Sequence, residues 1–115
     1  MKATILTFVL ATLFAFNIPV KTFAASPDDK PASEVAVKID NFSFSPATIT
    51  VPVGTIVRWT NRDDIPHTVV SDDHTTFKSK PLDTDEQFTY TFTKPGTYSY
   101  FCSIHPKMTG KVVVQ

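Results

Sequence analysis

The chain reads as an all-β protein, a two-sheet β-sandwich, on three observations. Past residue 34 no stretch of useful length carries the helical period of apolar residues. Short β-branched and aromatic runs recur there instead, several with alternating polarity. Turn residues punctuate these runs, giving seven or so short strands in about 80 residues, the spacing of a sandwich whose loops gather at its two ends.

Each element has its own signal. Val35 to Ile39 alternates, Thr48 to Val51 is β-branched, and Pro52-Val53-Gly54 turns the chain into a second alternating run, Thr55 to Thr60, around Trp59. His67 to Val70 is a further short strand. Glu86 to Phe92 sets Phe88, Tyr90 and Phe92 on one face, Lys94-Pro95-Gly96 turns, Thr97 to Cys102 runs straight on, and Lys111 to Val114 closes the domain. The irregular stretch from Ser71 to Gln87, with Asp72, Asp73, Asp83 and Asp85, reads as loop with room for one edge strand. The period-two aromatic stripes are core packing.

Residues 1–25 read as a signal peptide. Lys2 precedes an apolar run from Ala3 to Val20, and the small residues around Ala24 and Ala25 suit a cleavage site. Residues 26–34, rich in Pro, Asp, Lys and Ser, form a flexible lead-in, and the domain spans 35–115. Removing Lys2 and Lys21 from the eleven basic residues leaves nine against eleven acidic ones, without a basic stripe, which excludes nucleic acid as a partner. Cleavage also leaves no membrane anchor. A lone cysteine, Cys102, in an exported domain is either a reactive thiol or a ligand, because an oxidising compartment pairs the others.

The chemistry concentrates in one loop, Cys102-Ser103-Ile104-His105-Pro106-Lys107-Met108. Two successive tight turns bring the thiol, the imidazole and the thioether together, and Pro106 stiffens the second. Taken singly, each is most often structural: a buried cysteine, a core methionine, a surface histidine. Together in seven residues, with the only cysteine and the only methionine beyond Met1, they point to a metal site. His67, at the start of its run, supplies a fourth donor because a sandwich collects distant strand ends at one pole. His74, in the acidic loop, reads as an exposed loop histidine. One thiolate, two imidazoles and a weak thioether select copper, since zinc sites seldom use methionine and calcium takes oxygen. The expected ligands of one Cu(I)/Cu(II) ion are therefore His67, Cys102, His105 and Met108.

At this point the chain resembles a known family. Asn41-Phe42-Ser43-Phe44-Ser45-Pro46, Trp59-Thr60-Asn61, Pro66-His67-Thr68-Val69, Gly96-Thr97-Tyr98, the Cys102 to Met108 loop and Gly110-Lys111-Val112 are similar to the type 1 blue copper proteins, the cupredoxins, within the plastocyanin and pseudoazurin group. The short ligand spacing is most similar to that of the amicyanins. The resemblance implies a Greek-key sandwich and a soluble periplasmic electron carrier. Two positions depart from the pattern. Thr68 stands where many relatives carry Asn, and Ile104 stands where amicyanins carry Pro, adding a backbone N–H. Both bear on hydrogen bonding around the metal.

Three functions follow from the ligand set. The leading one is electron transport, by a monomer that meets its redox donor and acceptor transiently at an apolar group of Ile65, Pro66, Ile104 and Pro106, with Lys107 beside it. The alternative is a carrier or buffer that delivers periplasmic copper, which would gain from exchangeable ligands. An enzyme needs an open coordination position, and four donors leave none, so no enzymatic activity is expected.

Overall fold

A computed structural model describes residues 33–115 together with the isolated positions Ala15, Asn17 and Pro19. The expected signal peptide and most of the lead-in therefore lie outside the described residues. Among the described residues there are eight strands and no helix, so none long and apolar enough to cross a membrane. The strands are β1 (Glu34–Asp40), β2 (Ser43–Ser45), β3 (Thr48–Val51), β4 (Ile56–Asn61), β5 (Val70–Ser71), β6 (Gln87–Thr91), β7 (Gly96–Phe101) and β8 (Thr109–Val114).

Two four-stranded sheets face each other, in the orders β2-β1-β4-β6 and β3-β8-β7-β5. Both are mixed: β1 runs parallel to β4 and β3 parallel to β8, while the other pairs are antiparallel. Alternation decides which side chains enter the core. In β4 every second residue, Val57, Trp59 and Asn61, is buried, and along β7 the inward series Tyr98, Tyr100 continues to Cys102 just past the strand. Trp59 is the hub, with ring centroids of Phe77, Phe88 and Tyr100 between 5.4 and 5.7 Å away. The buried rings of Trp59, Phe77 and Tyr100 each contribute about 1.5–3 kcal/mol, and Phe88 packs against them half-buried.

The inward phase of β7 is locked against β8 by a close approach. A Cβ at Gly110 would stand 2.3 Å from the Tyr100 ring, so only glycine fits opposite that tyrosine. The lock lies two residues from Cys102 on one strand and two from Met108 on the other. It thereby fixes both ends of the ligand loop.

Two details differ from the sequence expectation. The run His67 to Val70 is not one strand: His67 forms a single bridge with Leu82, and the paired strand is only Val70–Ser71. Ser79 is responsible, since its hydroxyl accepts the Val69 N–H at 2.8 Å and interrupts a regular ladder. β2 was also not expected, because three residues flanked by turns carry too little periodicity to read.

Candidate metal centre

His67 and Cys102 reach the same pole from neighbouring segments. β5, which follows His67, pairs with β7, which ends one residue before Cys102, in the register Val70↔Phe101. Both residues are fully buried, and Cys102 Sγ lies 3.8 Å from His67 Nδ1. The far side of that imidazole is engaged: Nε2 stands 2.8 Å from Asp63 Oδ2. An ionised carboxylate only accepts, so the proton sits on Nε2 and Nδ1 faces the thiol with its lone pair free.

The loop that supplies Cys102 closes on itself. Its N–H donates to Met108 O at 3.0 Å, and Met108 N–H donates to His105 O at 2.9 Å, so the second expected turn is present and the first is a bend. Met108 is buried, His105 is half-buried and lies on the surface side of His67, and their ring centroids are 5.2 Å apart. Among the described residues no three His, Cys, Asp or Glu side chains converge tightly enough to form a metal cluster as they stand. Of the four expected donors, His67 and Cys102 are in contact and the His105 ring lies beside that of His67, while Met108 meets Cys102 and His105 through the backbone.

The His67–Cys102 contact fits a d-block ion. Nitrogen at about 2.1 Å and sulfur at about 2.3 Å from one metal, at a trigonal angle, stand about 3.8 Å apart. The thiol is also prepared to ionise. Burial pushes it up, but hydrogen bonds from the backbone N–H groups of Thr68, His105 and Ile104, with the His67 ring beside the sulfur, outweigh burial, and the net direction is down. Thiolate character is what a soft ligand requires.

Both departures from the family pattern have a visible role. Thr68 N–H donates to Cys102 Sγ at 3.4 Å, and Thr68 Oγ1 accepts Ser103 N–H at 2.7 Å while lying 2.7 Å from the Ser103 hydroxyl. Thr68 thus ties the His67 segment to the ligand loop with a hydroxyl. Ile104 contributes the N–H that proline would lack.

Three residues to which the sequence reading gave no role at the site complete the pole. Asn61, buried at the inward end of β4, donates to Ile65 O and Leu82 O, both at 2.8 Å, and shapes the approach to His67. A polar residue on the inward phase of a strand was the available signal. Asp63 is held below its ordinary carboxylate value, first by the hydrogen bond from His67 and then by the Phe42 N–H. Phe42, 54% exposed, lines a shallow surface depression with Ile104, His105, Pro106, Lys107 and Met108. Of the apolar group expected to meet redox partners, Ile104 and Pro106 lie in that depression, Pro66 is exposed beyond it and Ile65 is half-buried. His74 is exposed, with its ring against Phe101 rather than with the donors.

Comparison with known proteins gives one consistent result. Residues 5–114 match the cupredoxin-like domain. The chain is 34% identical to amicyanin-alpha of Methylorubrum extorquens, covering 91% of this chain and 94% of that protein. With amicyanin of Paracoccus versutus it shares 34% identity over 76% of this chain and 69% of the relative. Among solved structures, a purple cupredoxin of Nitrosopumilus maritimus superposes with a TM-score of 0.65 at 35% identity, over 72% of this chain and 99% of that one. A copper-containing nitrite reductase of Thermus scotoductus matches with a TM-score of 0.67 at 36% identity, over 75% of this chain but only 23% of that enzyme.

Proposed function

Because this chain belongs to the cupredoxin-like family, we propose that His67, Cys102, His105 and Met108 hold its copper ion, and that electrons leave past His105. The protein is a small electron-transfer protein with one copper ion. When bound, that ion supplies a one-electron Cu(II)/Cu(I) couple.

The observation that carries the reading is the 3.8 Å separation of Cys102 Sγ and His67 Nδ1 in a fully buried setting. The chain's own residues do the rest. Asp63 keeps the His67 proton on Nε2, the N–H donors around Cys102 favour ionisation of its thiol, and the Tyr100–Gly110 lock keeps the loop from drifting. Donors fixed in this way move little between oxidation states, which favours fast electron transfer over exchange of the ion. Burial of His67 and Cys102 likewise argues against delivery of copper to other proteins. The match to a nitrite reductase covers one part of a larger enzyme, and with four donors assigned to one ion this chain is read as a carrier and not an enzyme.

His105 bridges the buried pair and the surface, and a redox donor and acceptor dock there by turns. Ile104, 45% exposed, and Pro106 form the contact with Phe42, while Ile65 and Pro66 border it and Lys107 supplies the one charge of the depression. Residues 1–25 direct the chain to the periplasm and are removed there. The mature protein acts as a monomer.

Two measurements test this. The copper-loaded protein gives an intense visible thiolate-to-Cu(II) charge-transfer band, and copper bound without that band refutes the ligand set. Ile104→Glu keeps the spectrum and slows electron exchange with a redox partner about tenfold or more, through lost apolar contact at the docking face. An unchanged rate removes the docking role of the patch.

A further inference from the structure

The β1–β2 turn carries a backbone anomaly. Asn41 and Phe42 both adopt left-handed conformations, with φ of 49° and 56°. An asparagine accepts this readily, but a bulky aromatic does so only where its surroundings impose it. What imposes it on Phe42 is Asp63. A single carboxylate oxygen, Oδ2, accepts the Phe42 N–H at 3.1 Å and faces His67 Nε2 at 2.8 Å.

Asp63 is itself held from both sides. Its N–H donates to Asn61 Oδ1 at 2.9 Å, and its C=O accepts the Thr84 hydroxyl at 2.6 Å. Its carboxylate is therefore set in place by the scaffold before it meets either partner. The Phe42 ring stands edge-on to both imidazoles, at 5.0 Å and 81° to His105 and 5.7 Å and 88° to His67. Released from Oδ2, the turn has no reason to stay left-handed, and the ring would leave the two histidines.

We infer that Asp63 is a positioning residue for both histidines at once, acting on His67 directly and on His105 through the Phe42 turn. For His67 it fixes the tautomer and aims Nδ1 at Cys102. For His105 it holds in place the aromatic wall against which that ring rests. One buried carboxylate thus joins the β1–β2 turn, the β4–β5 segment and, through Phe42, the Cys102 to Met108 loop. The inference rests on the ligand assignment above for its meaning, but the contacts are made by protein groups alone.

The test uses metal-free protein, which separates it from the copper reading. Nitrogen NMR of wild-type protein shows His67 as the Nε2–H tautomer and nuclear Overhauser contacts between Phe42 and His105. Asp63→Ala mixes the His67 tautomers, speeds exchange of the Phe42 amide about tenfold or more and removes the Phe42–His105 contacts. Asp63→Asn, which retains an acceptor oxygen and approximate volume, preserves the tautomer and the Phe42 contacts in part, and serves should Asp63→Ala fail to fold. Thr84→Ala, which loses the hydrogen bond to the Asp63 carbonyl, shifts the same readouts in the same direction but less than Asp63→Ala. A His67 tautomer and Phe42–His105 contacts that persist in folded Asp63→Ala overturn the inference. So does an Asp63→Asn protein with fully wild-type values for the Phe42 amide exchange and His67 nitrogen shifts. Failure of the wild-type protein to give a copper–thiolate band would instead overturn the proposed function and leave these contacts standing.

Discussion

Asp63 and Asp73 are alike in composition and opposite in consequence. Each has a histidine within four residues, each is held below the ordinary carboxylate value by hydrogen bonds, and each is associated with a non-glycine residue at positive φ. Asp73 spends its oxygens on neighbours: it accepts the Ser71 hydroxyl at 2.6 Å, the Thr75 and Thr76 N–H groups at 2.9 Å and the Thr76 hydroxyl. Every partner lies within three residues, so the outcome is a turn. Asp63 reaches four residues to His67 and 21 to Phe42, so the outcome is a link between distant segments. A depressed carboxylate therefore does not by itself mark a site; the sequence distance of its partners and the burial of the group it holds do.

The largest effect expected from this contrast is on metal binding. His67→Ala removes a donor from the proposed centre and abolishes the copper–thiolate band, whereas His74→Ala leaves copper stoichiometry and spectrum unchanged. Loss of copper in His74→Ala with retention in His67→Ala would reverse the assignment of the two regions.

A smaller effect separates the two aspartates by acid. Asp73 has a folded value below the ordinary 3.8, so its carboxylate stabilises the fold above that pH and the contribution is lost as pH falls through the folded value. Asp73→Asn should therefore lower stability at neutral pH and flatten the acid limb of unfolding followed by circular dichroism, with the copper band at neutral pH intact. An acid limb as steep as wild type would show that the turn contributes nothing to pH sensitivity.

The smallest effect concerns the backbone. His74, at φ 61° in an exposed turn, tolerates glycine, and His74→Gly shifts the thermal midpoint by no more than about 3 °C because relief of the left-handed residue offsets the added chain entropy. A larger drop in calorimetry would mean that the His74 ring against Phe101 matters to the fold.

Much of this architecture was legible beforehand, for identifiable reasons. Thr48–Val51 coincides with its expected strand, and β1, β4, β6, β7 and β8 depart by only a few residues, because alternation is a strong signal when one face is buried. The second turn of the Cys102 to Met108 loop was legible because its signals, Pro106 among them, are close in sequence. Asp63 and Phe42 were not. Their contact spans 21 residues and depends on a left-handed phenylalanine, and neither periodicity nor spacing encodes such a meeting. The strand expected at His67 failed for a related reason: Ser79 and Leu82, far along the chain, take the hydrogen bonds that a ladder would have used.

The segment bearing His67 is sewn to β7 by two register pairs, Val70↔Phe101 and Ser71↔Tyr100, whereas β7 is sewn to β8 by six. That short seam is the natural place for the empty protein to gape. An ion held, as proposed, by His67 on one side and Cys102 on the other would cross the seam like a rivet near its open end, and do mechanically what missing rungs of the ladder would have done. Filling the centre would therefore slow breathing of this seam well before it altered anything in the Trp59 core.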